Sequence, residues 1–372
     1  MIYLDNAATT RPSEVALAHA KTYLTEEYFN PSALYSGGFR VSGMLKEARK
    51  NLVSMVADPS KFELAFASGG TEGDNQAIFS CAKRGNAVTS SGEHAAVYEC
   101  FVELKNRGVE PRFAPLHRDG SVDVEALLAL VDDRTSLVSV VHVNNETGAI
   151  NDIFAIAKAV KKKNPRCIFH SDGVQAFGKL AFRLTSEIDL YTVSAHKIGG
   201  VKGTGALIMK KGLPLRPLIF GGGQEGNKRS GTENVFGIAV FSHAARETFL
   251  AMNETHTRLI ECREALWGGL DKGLFSRISP ENGTPYILTV SAAGMRGEVL
   301  QRLLWERGVV VGTGSACASR HRFSRVLTAC GYEERILDGV LRMSFSHETT
   351  QEEITLAAEA LNAVAREFSN KV

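Results

Sequence analysis

Two ionisable side chains follow short apolar segments that predict β-strands. Asp172 ends the segment 168–172, and Lys197 comes four residues after the segment 188–193. A lysine amine can form a Schiff base with an aldehyde, and a carboxylate can keep a pyridine nitrogen protonated so that the ring withdraws electrons. A protein that uses pyridoxal phosphate must supply both groups. The pair therefore predicts a pyridoxal-phosphate site in which Lys197 forms the Schiff base.

A glycine-rich segment predicts the place of the cofactor's phosphate. Residues 67–73 read Ala-Ser-Gly-Gly-Thr-Glu-Gly and lead into a helix predicted to begin near Thr71. Backbone N–H groups at a helix N-terminus bind anions, which makes Gly70 and Thr71 candidate phosphate ligands. Ser194 and His196 lie just before the lysine and can add side-chain hydrogen bonds to the same phosphate.

Each of these residues also has a simpler interpretation. Lys197 can be a surface amine, Asp172 a helix cap, and residues 69–70 a plain turn. His94 follows another strand-to-helix junction, where its ring can stack on the cofactor or can be an ordinary core histidine. The order along the chain favours the cofactor site, because phosphate loop, stacking histidine, aspartate and lysine occur in this order in fold-type I pyridoxal-phosphate enzymes.

Apolar or β-branched segments alternate with helical patterns over the first two thirds of the chain. The strand-like segments are 87–89, 135–143, 167–170, 188–193 and 205–209. A helical pattern such as 152–163 separates them. The alternation predicts βαβ units, and therefore an α/β fold with a mostly parallel sheet between helices.

The pattern changes after residue 252. Long amphipathic helices are predicted at 255–270 and 351–368, with strands at 286–291 and 341–345. We therefore expect a large α/β domain over residues 15–251. Residues 1–14 and 252–372 are expected to form a smaller α+β domain.

Composition excludes several classes of protein. The 372 residues carry 43 basic and 41 acidic side chains, spread along the chain, which argues against a nucleic-acid-binding face. No apolar run approaches the ~20 residues that cross a bilayer, and Asp5 interrupts any N-terminal signal sequence, so we expect a cytoplasmic protein without membrane contact. The six cysteines form no C-x-x-C pair, so we expect neither a metal site nor a disulfide framework.

Short motifs recur in order through the chain. They are YLDNAATT at 3–10, NPS at 30–32, GGTEGDN at 69–75, EH at 93–94, HVNNETG at 142–148, DGVQ at 172–175, SAHK at 194–197, GGGQE at 221–225 and RSGT at 229–232. Together they resemble the cysteine desulfurase family nearly from end to end. The resemblance implies a fold-type I pyridoxal-phosphate-dependent transferase with a mostly parallel, seven-stranded sheet sandwiched by helices in its large domain.

The resemblance also implies roles for residues around the cofactor. It implies that Gln175 bonds the ring hydroxyl and that Thr71, Ser194 and His196 hold the phosphate. Thr232 would reach the phosphate of the other subunit, which implies a homodimer. Tyr35 and Gln224 stand where the family usually has histidine, and neither of them is a cofactor ligand.

L-Cysteine is the substrate that the resemblance implies, and three residues would contact it. Asn145 and Arg342 would orient its carboxylate, because the planar fork of arginine binds a carboxylate through two hydrogen bonds. Asn145 would also contact the cofactor, and Asn30 would contribute to the substrate site. The simpler interpretation of Arg342 is a buried structural ion pair.

Residues 312–322 read GTGSACASRHR and distinguish a desulfurase from its aminotransferase relatives. A loop of this composition suits an arm that carries the Cys317 thiolate, and the basic residues at 320–322 favour the thiolate form. Lys197 would move the substrate α-proton with help from His94. Cys317 would then take the substrate sulfur as a persulfide and leave L-alanine. The loop resembles that of desulfurases used for iron–sulfur cluster assembly or tRNA thiolation.

Other functions remain open on the same residues. A selenocysteine lyase, a β-lyase or an aminotransferase can share the scaffold, and Cys317 would then be incidental. A catalytically inactive assembly platform is the alternative from a different class. Only residues 369–372 follow the last predicted helix, whereas housekeeping desulfurases carry a C-terminal extension that docks their scaffold. We therefore expect a different sulfur acceptor, or other docking surfaces.

Overall fold

The computed structural model describes residues 1–292, 294–313 and 322–369. Its strands are β1 (Ile2–Leu4), β2 (Phe62–Ala67), β3 (Asn86–Ser90), β4 (Glu110–Ala114), β5 (Thr135–Ser139), β6 (Ile168–Asp172), β7 (Leu190–Ser194), β8 (Gly205–Lys210), β9 (Ser276–Arg277), β10 (Ile287–Ser291), β11 (Val309–Val311) and β12 (Val340–Ser344). The predicted strands at 87–89, 188–193, 205–209, 286–291 and 341–345 fall on β3, β7, β8, β10 and β12.

The helices connect these strands and cover both faces of the main sheet. They are α1 (Glu14–Ala20), α2 (Thr22–Thr25), α3 (Ser36–Val56), α4 (Gly70–Cys81), α5 (Ala95–Leu104), α6 (Val124–Leu130), α7 (Ile153–Lys163), α8 (Gln224–Asn227), α9 (Val235–Gly269), α10 (Gly297–Glu306), α11 (Arg325–Ala329), α12 (Glu334–Asp338) and α13 (Gln351–Ser369), with 3-10 turns at Lys105–Arg107 and Ala195–Lys197. Among the described helices, none combines the length and the apolar character needed to cross a bilayer.

The main sheet has seven strands in the order β2-β8-β7-β6-β5-β3-β4. Pairs from β7 to β4 are parallel, and β8 runs antiparallel to both of its neighbours. The prediction of an α/β fold with a mostly parallel seven-stranded sheet is therefore confirmed. Buried apolar strands such as β7 suit this position, because helices cover both faces of the sheet.

The parallel pairing of β6 and β7 brings the two predicted cofactor residues to one edge of the sheet. Asp172 pairs with Thr192 in register, and the chain reaches Lys197 through the 3-10 turn that follows β7. The carboxyl ends of parallel strands meet at the same edge, which is where ligands bind in open α/β sheets. Helix α4 begins at Gly70 after β2, and α5 begins at Ala95 after β3.

A second hydrophobic core lies around β10, β11 and β12. It includes Leu4 from the N-terminal strand and Leu361 from α13. Helix α9 runs through the predicted domain boundary at 251–252, and its two halves enter different cores: Phe241 packs in the core of the main sheet and Leu266 in the second core. The domain limits 15–251, 1–14 and 252–372 stay a prediction.

Gly173 leaves room for a buried tyrosine directly after Asp172. A Cβ atom at this position would lie 1.9 Å from Tyr191 Cζ, and Tyr191 is fully buried with its hydroxyl 2.9 Å from His142 Nδ1. We expect Gly173→Ala to lower the free energy of unfolding by about 1–3 kcal/mol, because an overfilled core must shift. Urea unfolding measures the change.

Gly43 provides the matched control for this substitution. It lies on the exposed side of α3, with no atom within 4 Å of an added Cβ. Gly43→Ala should raise the free energy of unfolding by about 0.5–1 kcal/mol, because alanine favours the helix. Equal unfolding midpoints for Gly173→Ala and the unsubstituted protein would contradict the packing described for Tyr191.

Candidate active site

The Lys197 amine is held against the N-terminal segment. Its Nζ lies 2.7 Å from the carbonyl oxygen of Ala7 and 2.7 Å from that of Ala8. The turn that carries the lysine is fixed by Thr10, whose N–H and hydroxyl both donate to the His196 carbonyl at 2.9 and 3.0 Å. Two carbonyl oxygens thus set the position of the amine.

Asp172 lies at the buried end of β6 with only 5% of its surface exposed. One carboxylate oxygen accepts the Val174 N–H at 2.9 Å. Burial raises the pKa of Asp172, while the neighbouring charges of His94 and Lys197 and the Val174 hydrogen bond lower it. A protonated pyridine nitrogen beside Asp172 would add a further positive charge that favours the carboxylate form.

His94 is the N-cap residue of α5. Its Nδ1 accepts the Ala96 N–H at 3.2 Å, so the neutral ring carries its proton on Nε2. Burial lowers the pKa of His94, as do the charges of Lys197, Arg325 and Arg342, whereas Asp172 raises it. The ring is therefore disposed to exchange a proton at Nε2.

Gln175 shares a backbone acceptor with the lysine. Its Nε2 donates to the Ala7 carbonyl at 2.8 Å, and its Oε1 accepts a hydrogen bond from Lys179 Nζ at 2.8 Å. Both polar atoms of the amide are thus engaged by groups with a fixed donor or acceptor character. The amide can present only one orientation to a ligand beside Lys197.

The predicted phosphate site combines close packing with unused polar groups. Gly70 begins α4, and a Cβ there would lie 2.8 Å from Val174 Cγ2. The Ser194 hydroxyl oxygen is buried and has no hydrogen-bond partner among the described residues. Burial and then the charges of Lys197, Lys202 and Lys179 lower the pKa of His196 to about 4. A glycine at the start of the helix, a buried hydroxyl without a hydrogen-bond partner and nearby positive charges together suit a bound anion.

Arg342 lies on β12 and contacts the N-terminal segment that also holds Lys197. Arg342 is 7% exposed, with Nη2 2.9 Å from Asp5 Oδ1 and Nη1 2.8 Å from the Asn145 carbonyl. The buried ion pair that is the simpler interpretation of Arg342 is therefore present. The Nε of Arg342 is buried and has no partner within the described residues, so this N–H is a donor that a substrate carboxylate could use.

Two further carboxyl groups are buried behind Asp172. Burial and the charge of Asp172 raise the pKa of Asp74 well above its usual range, and burial raises that of Glu93 to about 8. Asp74 Oδ1 lies 3.5 Å from His170 Nε2, but burial lowers the pKa of His170 to about 3, so the contact joins two neutral groups. Asp172 is the member of this group whose pKa is lowered by the charge of Lys197.

Two predicted site residues are exposed on the surface rather than buried in this cluster. Asn30 lies in an exposed turn, where its Oδ1 accepts the Ser32 N–H at 2.9 Å, and Thr232 is exposed in the loop before α9. Cys317 lies outside the described residues. Past the undescribed segment 314–321, Arg322 donates to Asp338 Oδ2 at 2.9 Å, so a carboxylate offsets its charge.

Comparisons with known proteins show the family to which this chain belongs. The profile of the family described as Aminotransferase class-V matches residues 2–356. A cysteine desulfurase of Cereibacter sphaeroides is 37% identical over 97% of this chain and 94% of its own length. Another, from Sinorhizobium fredii, is 35% identical over 99% of this chain and 97% of its own length. This chain belongs to the cysteine desulfurases.

A solved structure shares the fold of this chain. A NifS-like protein superposes with a TM-score of 0.92 at 33% identity, over 99% of both chains. Cysteine desulfurases are pyridoxal-phosphate enzymes of the class-V aminotransferase family. The resemblance and the fold-type I architecture expected from the sequence are both confirmed.

Sequence reasoning missed the groups that hold the predicted site residues. The Ala7 and Ala8 carbonyls and the Asp5 carboxylate belong to the motif at 3–10. This motif contributes to the family resemblance, but the sequence predicts no role for its residues. Lys179 stands four residues after Gln175, and this spacing was the available signal for their contact. Backbone carbonyls have no signal in a sequence, because every residue has one.

The charge of Asp172 should be visible in the titration of His94. We expect Asp172→Asn to lower the pKa of His94, because it removes the neighbour that raises this pKa. An NMR pH titration of the cofactor-free protein measures the shift. Asp152→Asn is the control, since Asp152 raises the pKa of His142 and should leave His94 unchanged. An unchanged or raised His94 pKa in Asp172→Asn would contradict the expectation.

Proposed function

We propose that this cysteine desulfurase removes sulfur from L-cysteine with pyridoxal phosphate on Lys197 and delivers it as a persulfide on Cys317. The observation that carries the proposal is the convergence of Lys197, Gln175 and Asp172 beside the unpartnered Ser194 hydroxyl. Family membership supports the same reaction. The products are L-alanine and a sulfur atom for an acceptor protein.

The residues gathered at this edge of the sheet would hold the cofactor. Lys197 would hold it as a Schiff base, Asp172 would face its ring nitrogen and Gln175 its ring hydroxyl. Gly70, Thr71, Ser194 and His196 would hold its phosphate, and His94 would stack on the ring. When bound, pyridoxal phosphate supplies an electron sink that makes the substrate Cα–H acidic and weakens the Cβ–S bond.

The two proton carriers have separate attachments. Once the substrate has taken its place, the Lys197 amine accepts the Cα proton, and the Ala7 and Ala8 carbonyls 2.7 Å away keep Nζ in position. His94 exchanges a proton at Nε2, because its Nδ1 is occupied by the Ala96 N–H. Separate attachment lets each group return to its place after a turnover.

Arg342 orients the substrate through its carboxylate. Its ion pair with Asp5 and its bond to the Asn145 carbonyl leave Nε for the ligand and fix the plane of the guanidinium. The side-chain amide of Asn145, whose backbone carbonyl accepts from Arg342, would also contact the substrate carboxylate. Asn30 would complete the substrate site.

Sulfur transfer balances without an external oxidant. The Cys317 thiolate attacks the substrate sulfur, an S–S bond forms and the Cβ–S bond breaks. The electron pair of the broken bond goes to the substrate, which takes up a proton to become alanine. The enzyme is left with a Cys317 persulfide, whose outer sulfur is available to the thiol of an acceptor.

A homodimer agrees with large apolar side chains that the described residues expose. Leu34 and Phe39 at the start of α3 are 87% and 62% exposed, and Phe220 is 82% exposed. Exposed apolar groups of this size mark interaction surfaces. In such a dimer Thr232 would reach the phosphate of the partner. The sulfur acceptor would be a scaffold protein or a thiolation enzyme.

Loss of the thiolate should separate sulfur transfer from cofactor binding. We expect Cys317→Ala to lower alanine formation from cysteine by roughly 10³-fold or more, while the visible absorption of the lysine-bound cofactor persists. Cys330→Ala is the control, because burial raises the pKa of the Cys330 thiol to about 12 and makes it unreactive. Amino-acid analysis measures alanine, and mass spectrometry of the Cys317 peptide detects the added sulfur.

Three outcomes would overturn the assignment. Unchanged alanine formation in Cys317→Ala would exclude this thiol as the sulfur acceptor. Pyruvate and ammonia as products would indicate a β-lyase, and a keto acid without sulfide would indicate an aminotransferase. A purified protein that binds no pyridoxal phosphate would indicate an assembly platform.

The role of Arg342 predicts a defect in substrate binding. We expect Arg342→Gln to raise the KM for cysteine roughly 10- to 100-fold with a smaller change in kcat, because a charged hydrogen bond is lost. Arg263→Gln is the matched control: Arg263 is 4% exposed and donates to the Gly283, Thr284 and Glu281 carbonyls. An unchanged KM in Arg342→Gln would reduce Arg342 to a structural partner of Asp5.

A further inference from the structure

The segment α8 follows the three glycines at 221–223 and has no role in the reaction described above. Its backbone is left-handed: φ is +52° at Glu225, +63° at Gly226 and +64° at Asn227. Glycine tolerates this conformation, but a residue with a side chain adopts it seldom, and chiefly where its surroundings hold it there. The conformation of Glu225 and Asn227 therefore calls for a physical reason.

The Glu225 carboxylate is bound to the edge of the main sheet. Its side chain is 2% exposed, and Arg49 Nη2 lies 2.9 Å from each of its oxygens. Oε2 also accepts the Phe66 N–H of β2 at 3.0 Å, while Arg49 Nε donates to the Leu64 carbonyl of the same strand at 3.0 Å. Strand β2 is an edge strand, whose outer backbone groups need partners. The ion pair provides them, and in doing so it attaches α8 to β2.

The side chain of Gln224 connects α8 to the loop that carries Thr232. Its Oε1 accepts the Gly231 N–H at 2.9 Å, and Gly231 directly precedes Thr232 in the chain. Because Gln224 and Glu225 are adjacent, one peptide bond joins this contact to the anchor on β2. A continuous path of hydrogen bonds and backbone therefore runs from the edge of the sheet to the residue before Thr232.

A second ion pair attaches the same loop to the glycine-rich segment 67–73. Arg229 Nε donates to Glu72 Oε1 at 3.0 Å, and Glu72 Oε2 accepts the Ser68 N–H at 2.8 Å. Both partners of Arg229 and Glu225 belong to the same chain as Thr232, which itself is exposed. The loop is therefore held in place within one chain, before any partner subunit binds.

We propose that Glu225 and Gln224 are positioning residues that hold Thr232 ready for the cofactor phosphate of the partner subunit. Glu225 anchors α8 on the edge of β2, and Gln224 holds the N–H group that precedes Thr232. The inference rests on the proposed function, because it takes Thr232 as a ligand of that phosphate. A loop held in its binding conformation loses less conformational freedom when it binds. The two residues should therefore slow the release of pyridoxal phosphate.

The release of pyridoxal phosphate from the loaded protein tests the proposal. Glu225→Ala removes the anchor and Gln224→Met removes the acceptor, so each should raise the release rate roughly tenfold, the effect of losing one hydrogen bond to a charged group. Thr232→Ala should have the same effect. Adding Glu225→Ala to Thr232→Ala should change nothing further, because residues that act through one contact are not additive. The decay of the visible absorption measures the rate while an excess of another cofactor-free pyridoxal-phosphate enzyme traps the released cofactor.

Asp189→Ala is the matched control for Glu225→Ala. Asp189 likewise joins a helix cation to a strand, because it accepts from Lys161 Nζ at 2.5 Å and from the Phe169 N–H at 2.8 Å. It precedes β7, whereas Ser194 of the predicted phosphate site ends that strand. The control should lose stability without a change in the release rate. Glu225→Gln and Asp189→Asn replace the two alanine variants if either of these does not fold.

Hydrogen exchange in the cofactor-free protein tests the anchor independently of the proposed function. The peptide that covers residues 221–232 should exchange faster in Glu225→Ala, because the segment loses the contact that keeps its N–H groups from opening. Asp189→Ala should leave the exchange of this peptide unchanged. Unchanged exchange in Glu225→Ala would contradict the anchoring of α8.

The remaining outcomes separate failure of the inference from failure of the proposed function. An unchanged release rate in Glu225→Ala, or the same acceleration with and without Thr232, would overturn the positioning role. So would release that accelerates because the dimer dissociates, which sedimentation velocity detects. An unchanged rate in Thr232→Ala, or a monomeric loaded protein, would overturn the proposed contact with the partner's phosphate, while hydrogen exchange would still decide whether Glu225 anchors α8.

Discussion

Residues 5–10 join the strand that carries Arg342 to the turn that carries Lys197. Asp5 pairs with Arg342, the Ala7 N–H donates to the Ser344 hydroxyl at 2.8 Å, and the Ala7 carbonyl accepts from Lys197 and Gln175. Further along, Thr10 fixes the turn through the His196 carbonyl. One extended segment thus sets the distance between the substrate-binding arginine and the reactive amine. Removing Asp5 would take the carboxylate partner from the buried Arg342 guanidinium, which is costly in a protein interior.

Burial then determines the character of each ionisable group in the site. Asp172 is buried and His94 and His196 are partly buried, so water screens nearby charges less and the pKa values of these groups respond to those charges. Cations accumulate around the phosphate cradle and carboxyl groups collect behind Asp172. The separation suits a ligand with an anionic phosphate at one end and a protonated ring nitrogen at the other. Neutral Asp74 and His170 show that burial alone does not create such a charge, because without an ionic partner both groups become neutral.

Some elements are predicted well from the sequence and others are not, for physical reasons. Strands β3, β7 and β8 were predicted within two residues at each end, because fully buried strands form short continuous apolar runs. Helix α9 begins at Val235, whereas its prediction began at 255. Its first half packs in the core of the main sheet and its second half in the second core, so the apolar face changes along the helix and one amphipathic stripe describes only part of it.

The sequence by itself determined the chemical groups of this protein and their order, because Asp172, Lys197, His94 and the glycine-rich loop are defined by side-chain type and spacing. It also determined the parallel sheet, since alternating strands and helices favour that arrangement. Only the tertiary structure decided what holds these groups. The Ala7 carbonyl lies 190 residues from Lys197 and the Asp5 carboxylate 337 residues from Arg342. Contacts between such distant residues leave no local pattern, because they arise when separate elements pack around one site.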